Sequence, residues 1–229
     1  MGLLPVLLLP AGAWVSYAWV PQLALPFISS FKGDKSREVV HLTFDDGPDE
    51  NHTPQLLDIL AEQGVHATFF LIGERARKNP SIVRRMADEG HEVGNHTWHH
   101  KNAWFLMPRE TEEEILVGRE ILEDISGKSV VLYRPPWCIV NACVLYIILK
   151  HRLETVLASI QPEGLRPRSS ADQFAHCTSR LHPGAIIDLH DADGVPGAPI
   201  RLLGYIRNLI QDIRSQGFGI TLFKPKIFQ

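Results

Sequence analysis

Cysteine is scarce. Cys138, Cys143 and Cys177 are the only three in 229 residues, an odd number without a CxxC pair, which argues against a disulfide framework. A basic excess is missing too: 23 Lys and Arg stand against 26 Asp and Glu, for a formal net charge of −3. A protein that works by neutralising phosphates is thereby disfavoured, and nucleic acid is not an expected partner. No collagen-like or heptad period, internal repeat or low-complexity linker divides the chain, so fibrous and solenoid architectures drop out. A GxSxG nucleophile elbow and a phosphate-binding glycine loop are also lacking, which leaves a serine acyl-enzyme and a nucleotide cradle without their sequence marks.

What is present suits one generous globular domain: 45% hydrophobic and 21% charged residues can bury a full core. Charge is absent from Met1 to Phe31, the first charged side chain being Lys32. Met1–Val20 has the ~20 mainly apolar residues that a bilayer span needs. Residues 1–31 are therefore expected to associate with a membrane as an uncleaved anchor, with a cleaved signal and a buried soluble element as the alternatives. Pro5, Pro10 and Pro21 interrupt the run, and the basic start of a signal peptide is missing. Lys32, Lys35 and Arg37 follow it, diluted by Asp34 and Glu38, and leave the orientation open.

From Glu38 the chain alternates apolar runs with amphipathic ones. Strands are expected at Val39–Phe44, Ala67–Ile72, Glu92–Asn95, Val130–Tyr133, Thr155–Ile160, Ala185–Leu189 and Gly219–Phe223. Helices are expected at Pro54–Gln63, Pro80–Glu89, Arg109–Ile125, Ala142–His151, Ala171–Leu181 and Ile200–Gln216, with Thr53 as an N-cap and Gly64, Gly90, Gly127 and Gly217 as stops. The alternation predicts an α/β domain with about seven parallel strands, as an incomplete barrel or an open sheet.

In such a domain the site lies beyond the carboxyl ends of the strands, and the polar clusters fall there: Asp45-Asp46-Gly47-Pro48, His96-Thr97-Trp98-His99-His100, Arg134-Pro135-Pro136-Trp137 and His190-Asp191. His96 and His100, four apart, share a face if they sit on a helical turn and can then share a metal. With one carboxylate they make a His2Asp set with open coordination positions, the mark of a catalytic site. Asp45 and Asp46 are costly to keep ionised side by side without a cation or a proton between them. One can bind metal while the other serves as base; a plain turn is the alternative.

These segments, with Thr43-Phe44 before the first, Gly94-Asn95 before the second and Leu189 before the last, resemble the successive motifs of the polysaccharide deacetylases, carbohydrate esterase family 4, over about Val39 to Phe223. The resemblance implies a distorted (β/α) barrel over residues 38–224, preceded by the hydrophobic segment 1–31. It implies a divalent metal, Zn2+ first with Co2+, Ni2+ or Mn2+ as substitutes, and removal of acetyl groups from an N-acetylglucosamine-containing polysaccharide or oligosaccharide, a cell-envelope glycan or a chitin-like one. Position by position, Asp46, His96 and His100 become metal ligands and Asp45 the general base. Arg134 becomes the partner of Asp45, and Trp137 the oxyanion donor and a wall of the sugar groove. His190 becomes the general acid, and Leu189 the lining for the acetyl methyl. The catalytic domain is expected to be extracytoplasmic, membrane-anchored or secreted.

One motif departs from the pattern. Where the family carries Asp-Trp after the strand Thr155–Ile160, this chain reads Gln161-Pro162-Glu163-Gly164-Leu165, with Gly164 and Leu165 at those positions. Glu163, one residue early, and Asp191, next to His190, are the alternative partners of His190. Cys138 stands where a glycine usually ends the third motif, and Asp188 where an apolar residue is usual. Two other readings therefore stand beside the deacetylase: a catalytically impaired, metal-retaining glycan-binding protein, and a deacetylase of another amide or of an O-acetyl ester.

Overall fold

The computed structural model describes residues 11–30, 33, 35–163 and 168–224. Among them eight strands form one parallel sheet: β1 (Ser29–Ser30), β2 (Val39–Asp45), β3 (Thr68–Leu71), β4 (Glu92–Asn95), β5 (Leu132–Tyr133), β6 (Glu154–Val156), β7 (Ala185–His190) and β8 (Gly219–Ile220). The order is β1-β6-β5-β4-β3-β2-β7, with β8 beside the first residues of β2. Every ladder is parallel. An isolated bridge between Ile160 and Ile187 ties the segment after β6 to β7, so the sheet curls into a distorted barrel. β2 is its spine: all seven residues are buried, and its β-branched and apolar run is what a strand covered on both faces requires.

Helices Thr53–Glu62, Pro80–Asp88, Pro108–Ser126, Ala142–His151, Ser170–Thr178 and Ala198–Ser215 lie close to their expected bounds. The first is a correction in detail: His52 is the cap, and Thr53 begins the helix. Gly127, in the left-handed region at φ 66°, ends Pro108–Ser126 as expected. Helix Gly73–Lys78 and strand β1 were not expected. The main core joins Phe44, stacked on Phe69 at 5.0 Å between centroids, to Leu57, Leu60, Ile206 and Ile210 from the overlying helices.

Among the described residues, the N-terminal segment does not form the long helix of a membrane anchor. Its described part is a chain of short helical turns, Ala11–Trp14, Val15–Trp19, Val20–Ala24 and Leu25–Ile28, and no helix among the described residues is long and apolar enough to cross a membrane. Pro21 and Pro26 each remove a backbone donor there. The turns pack on the domain through Trp14 Nε1, which donates to Trp104 O at 3.2 Å, and Tyr17 OH, which donates to Leu106 O at 3.0 Å. Leu25 is buried beside Tyr133, Val140 and Val144. β1 then pairs with β6, carrying the segment into the sheet. Residues 1–10 lie outside the described residues.

One buried histidine makes the fold sensitive to acid. His91 is 2% exposed, and its Nδ1 accepts the Ala67 amide at 3.1 Å, which an unprotonated nitrogen alone can do. Burial lowers its pKa to about 4, against the pull of Glu89. In the unfolded chain a histidine titrates near ~6.5, so between those values the unfolded state binds more protons. The contribution is therefore complete above about pH 6.5 and is lost as the pH falls towards 4, on the order of 3 kcal/mol. Urea unfolding from pH 7 to 4 is expected to show this slope, and His91→Asn to flatten it.

Candidate active site

The carboxyl ends of β2, β4, β5 and β7 deliver their polar clusters to one cavity of about 640 Å3, lined among others by Asp46, His96, His100, Arg134, Trp137 and His190. Asp45, Glu163 and Asp188 share that lining.

Asp46, His96 and His100 converge. Each offers a ligand atom within 4.8 Å of the others: Nε2 of His96 lies 3.6 Å and Nε2 of His100 3.2 Å from Asp46 Oδ1. Convergence does not come from a helical turn, because the stretch from His96 to His100 is a loop. Thr97 at φ 69° and His100 at φ 57° turn it back on itself. Asn95 Oδ1 accepts the Thr97 amide at 3.0 Å, and Thr97 Oγ1 accepts the His100 amide at 3.0 Å. Asp46 is itself left-handed at φ 72°, a strained state that surrounding bonds must hold. Arg75 does so by donating to Asp46 O at 2.8 Å and to Asp193 O at 3.1 Å. Gly194 leaves the room: a Cβ there would fall 1.5 Å from Asp46 Oδ2.

This donor set fits a divalent cation. His96 Nδ1 lies 2.7 Å from Arg134 O; donating there, it leaves Nε2 with its lone pair towards Asp46. Burial, reinforced by His100, holds His96 well below the usual imidazole range, and burial lowers His100 also, against Asp46. Both rings are thus neutral, as ligands must be. Among the described residues, Asp46 Oδ1 is buried without a hydrogen-bond partner, an arrangement whose cost a cation removes.

Glu114, buried on helix Pro108–Ser126, clamps the same loop. It accepts the His99 amide at 2.7 Å, lies 2.7 Å from His99 Nδ1 and 2.9 Å from Lys101 Nζ, so His99 is a fixed loop residue and not a bystander. Glu114→Gln is expected to weaken metal binding about 10-fold or more, measured by competition with a chelating dye, because His100 follows directly on the clamped residue.

Asp45 and Arg134 form a buried pair, Nη1 to Oδ1 at 2.6 Å. The guanidinium also donates to Thr43 Oγ1 at 2.9 Å and Val156 O at 2.9 Å, and covers the Phe70 ring at 4.1 Å. Asp188 faces the cavity and reaches Arg134 Nη1 at 3.1 Å. Burial raises the Asp45 carboxyl well above its ordinary range; Arg134 pulls it down and Asp188 pushes it up.

His190 stands with Nε2 3.8 Å from Asp46 Oδ2 and Nδ1 2.7 Å from Glu163 Oε2. The Glu163 contact is close but bent, short of an aligned hydrogen bond. Burial opposes charge on His190, yet Glu163, Asp188, Asp45 and Asp46 together hold its pKa up at about 10. Glu163 is thus the carboxylate that reaches His190. Asp191 is not: it accepts from Thr53 Oγ1 at 2.5 Å beneath Gly47, where a Cβ would come within 2.4 Å of its Oδ2. Gly164 and Leu165 lie outside the described residues.

Trp137 is 60% exposed, lines the cavity and holds its ring 4.3 Å from that of His100, so it is not a core residue. Leu189 departs from expectation. Alternation along β7 puts Asp188 and His190 on the cavity side, so Leu189 points the other way, into the main core, and is not among the cavity's lining residues. In the sequence Asn95 has a place in the histidine motif but no role of its own, and nothing there marks Glu114 or Arg75, whose polarity on a helix does not separate them from surface residues.

The sequence profile of the family described as "Polysaccharide deacetylase" matches residues 32–156. The chain belongs to that family. It is 43% identical over 219 residues to a peptidoglycan-N-acetylglucosamine deacetylase of Bacillus cereus, spanning 95% of this chain and 77% of that protein. It is 30% identical to a chitooligosaccharide deacetylase of Azorhizobium caulinodans, over 81% of this chain and 93% of the relative. Among solved structures it resembles the Bc1960 peptidoglycan N-acetylglucosamine deacetylase, with a TM-score of 0.81 at 30% identity, over 89% and 95% of the two chains. These relatives make this polysaccharide deacetylase a hydrolase by family.

Proposed function

We propose that the chain removes N-acetyl groups from an N-acetylglucosamine-containing glycan of the cell envelope, outside the cytoplasm, with the chemistry carried by residues 38–224. The observation that supports it most is the buried Asp46 Oδ1, without a hydrogen-bond partner among the described residues and with two imidazole Nε2 atoms facing it. Asp46, His96 and His100 would hold the cation, zinc first with cobalt, nickel or manganese as substitutes; bound there, it supplies Lewis-acid polarisation of the acetamide carbonyl and acidifies water.

The other steps belong to the side chains. Asp45, oriented by Arg134, takes the proton from the attacking water. The Trp137 amide donates to the oxygen on which charge develops. His190, held on its far nitrogen by Glu163, gives a proton to the departing amine as the C–N bond breaks. The Trp137 ring forms a wall of the sugar groove.

Acetate release from acetylated chitooligosaccharides and from peptidoglycan fragments, with zinc or cobalt added, tests the reading. Release that a chelator abolishes and metal restores is expected. Metal bound with no acetate from either glycan favours the impaired, glycan-binding protein, and release from O-acetyl esters alone favours the ester reading.

A further inference from the structure

We infer that Gln22, from the N-terminal segment, is a positioning residue for the Arg134–Cys138 loop of the active site. Its Nε2 donates to Cys138 O at 2.6 Å, and its Oε1 accepts the Val140 amide at 3.0 Å. Both ends of one side-chain amide are thus spent on alternate backbone groups, as a neighbouring strand would spend them. The loop needs such support. Trp137 at φ 52° and Cys138 at φ 57° are consecutive non-glycine residues in the left-handed region, where a side chain is disfavoured and surrounding bonds must hold the backbone.

The remaining ties leave a gap that Gln22 fills. Upstream, Cys138 N and Ile139 N close the turn on Pro135 O and Pro136 O, each at 3.0 Å. Downstream, Asn141 donates to Ala103 O at 2.7 Å and caps the next helix through the Val144 amide at 2.9 Å. Between them lie Cys138 O and Val140 N. Gln22 can act as a fixed point because its own turn is seated, Pro21 being buried and Leu25 packed in the same cluster as Val140. It lies ahead of the family-matched residues 32–156.

The inference rests on the deacetylase reading in that Trp137 borders the reacting atoms. Losing Gln22 is expected to let the Trp137 amide and ring drift, which lowers turnover more than substrate binding. Gln22→Met keeps length and apolar bulk without donor or acceptor; Gln22→Glu keeps an acceptor for Val140 N and loses the donor to Cys138 O. Tyr17→Phe, which removes a bond of the same segment to Leu106 O, is the control. In the metal-loaded chain of 229 residues, Gln22→Met is expected to lower kcat about ten-fold with KM within about two-fold, and to speed exchange of the Val140 amide about ten-fold or more. Gln22→Glu, which sets a carboxylate oxygen against Cys138 O, is expected to lose at least as much, and Tyr17→Phe to lower Tm while kcat holds. Unchanged Val140 exchange in Gln22→Met overturns the inference, as does an equal loss of kcat in Tyr17→Phe. So does unchanged kcat in both Gln22 variants while the parent releases acetate. If the parent itself releases none, the deacetylase reading fails, and the exchange measurement alone decides for or against Gln22. Should Gln22→Met not fold, Gln22→Glu decides by the same readings.

Discussion

Asp45→Asn is expected to lower kcat for acetate release by about a thousand-fold, the range in which positioned proton transfer contributes, while the protein still binds its metal. The two effects separate because the neighbouring carboxylates have different partners. Asp46 faces the imidazoles at 3.2 and 3.6 Å; Asp45 faces Arg134 at 2.6 Å, with His96 Nε2 at 3.9 Å. Asparagine keeps a carbonyl for the guanidinium but has no basic oxygen for a water proton. Breaking a buried ion pair commonly costs ~3–5 kcal/mol. The loss here should be smaller, since Arg134 retains Asp188 at 3.1 Å and the Thr43 hydroxyl at 2.9 Å. Steady-state kinetics, metal titration and thermal unfolding of the variant check all three parts. A variant that kept most of its kcat would remove Asp45 as the base, and one that lost the metal would place Asp45 among the ligands.

What the sequence made legible has a common cause. A parallel strand covered on both faces must be nearly all apolar, and its end is where polarity resumes, so Val39–Phe44 followed by Asp45-Asp46 shows both strand and site. Glu92–Asn95 and Ala142–His151 match their elements residue for residue. Tertiary placement stayed hidden. β1 is two serines that are strand only because Thr155 and Val156 lie beside them. The uncharged N-terminal run has the composition of a bilayer span, yet its described turns pack on protein, and composition does not tell one apolar neighbour from another. The spacing of His96 and His100 fits a helix, but left-handed Thr97 and His100 bring the rings together from a loop. The place of Leu189 in a motif points to the cavity, whereas a period of two sends it to the core once His190 faces the site.

Glu163→Gln carries the remaining large effect. The family pattern asks for an aspartate one position later, and a glutamate at 163 makes up the distance with an extra methylene, bringing Oε2 to 2.7 Å from His190 Nδ1. A carboxylate in that position fixes the tautomer and orientation of the imidazole and stabilises its protonated form; amide replacement of such a carboxylate in a serine protease triad costs about 10^4 in kcat. The contact here is bent and Asp188, Asp45 and Asp46 also favour the charge, so about a thousand-fold is expected. The pH profile separates this role from mere packing. Glu163 raises the His190 pKa, and an acid is effective only below its pKa. Removing that carboxylate should therefore move the alkaline limb of kcat towards lower pH, while metal affinity is unchanged because no ligand is touched. Glu163→Asp should recover little, since the shorter side chain stops short of Nδ1. A limb that stayed in place in Glu163→Gln, with kcat near that of the parent, would show that His190 works without Glu163.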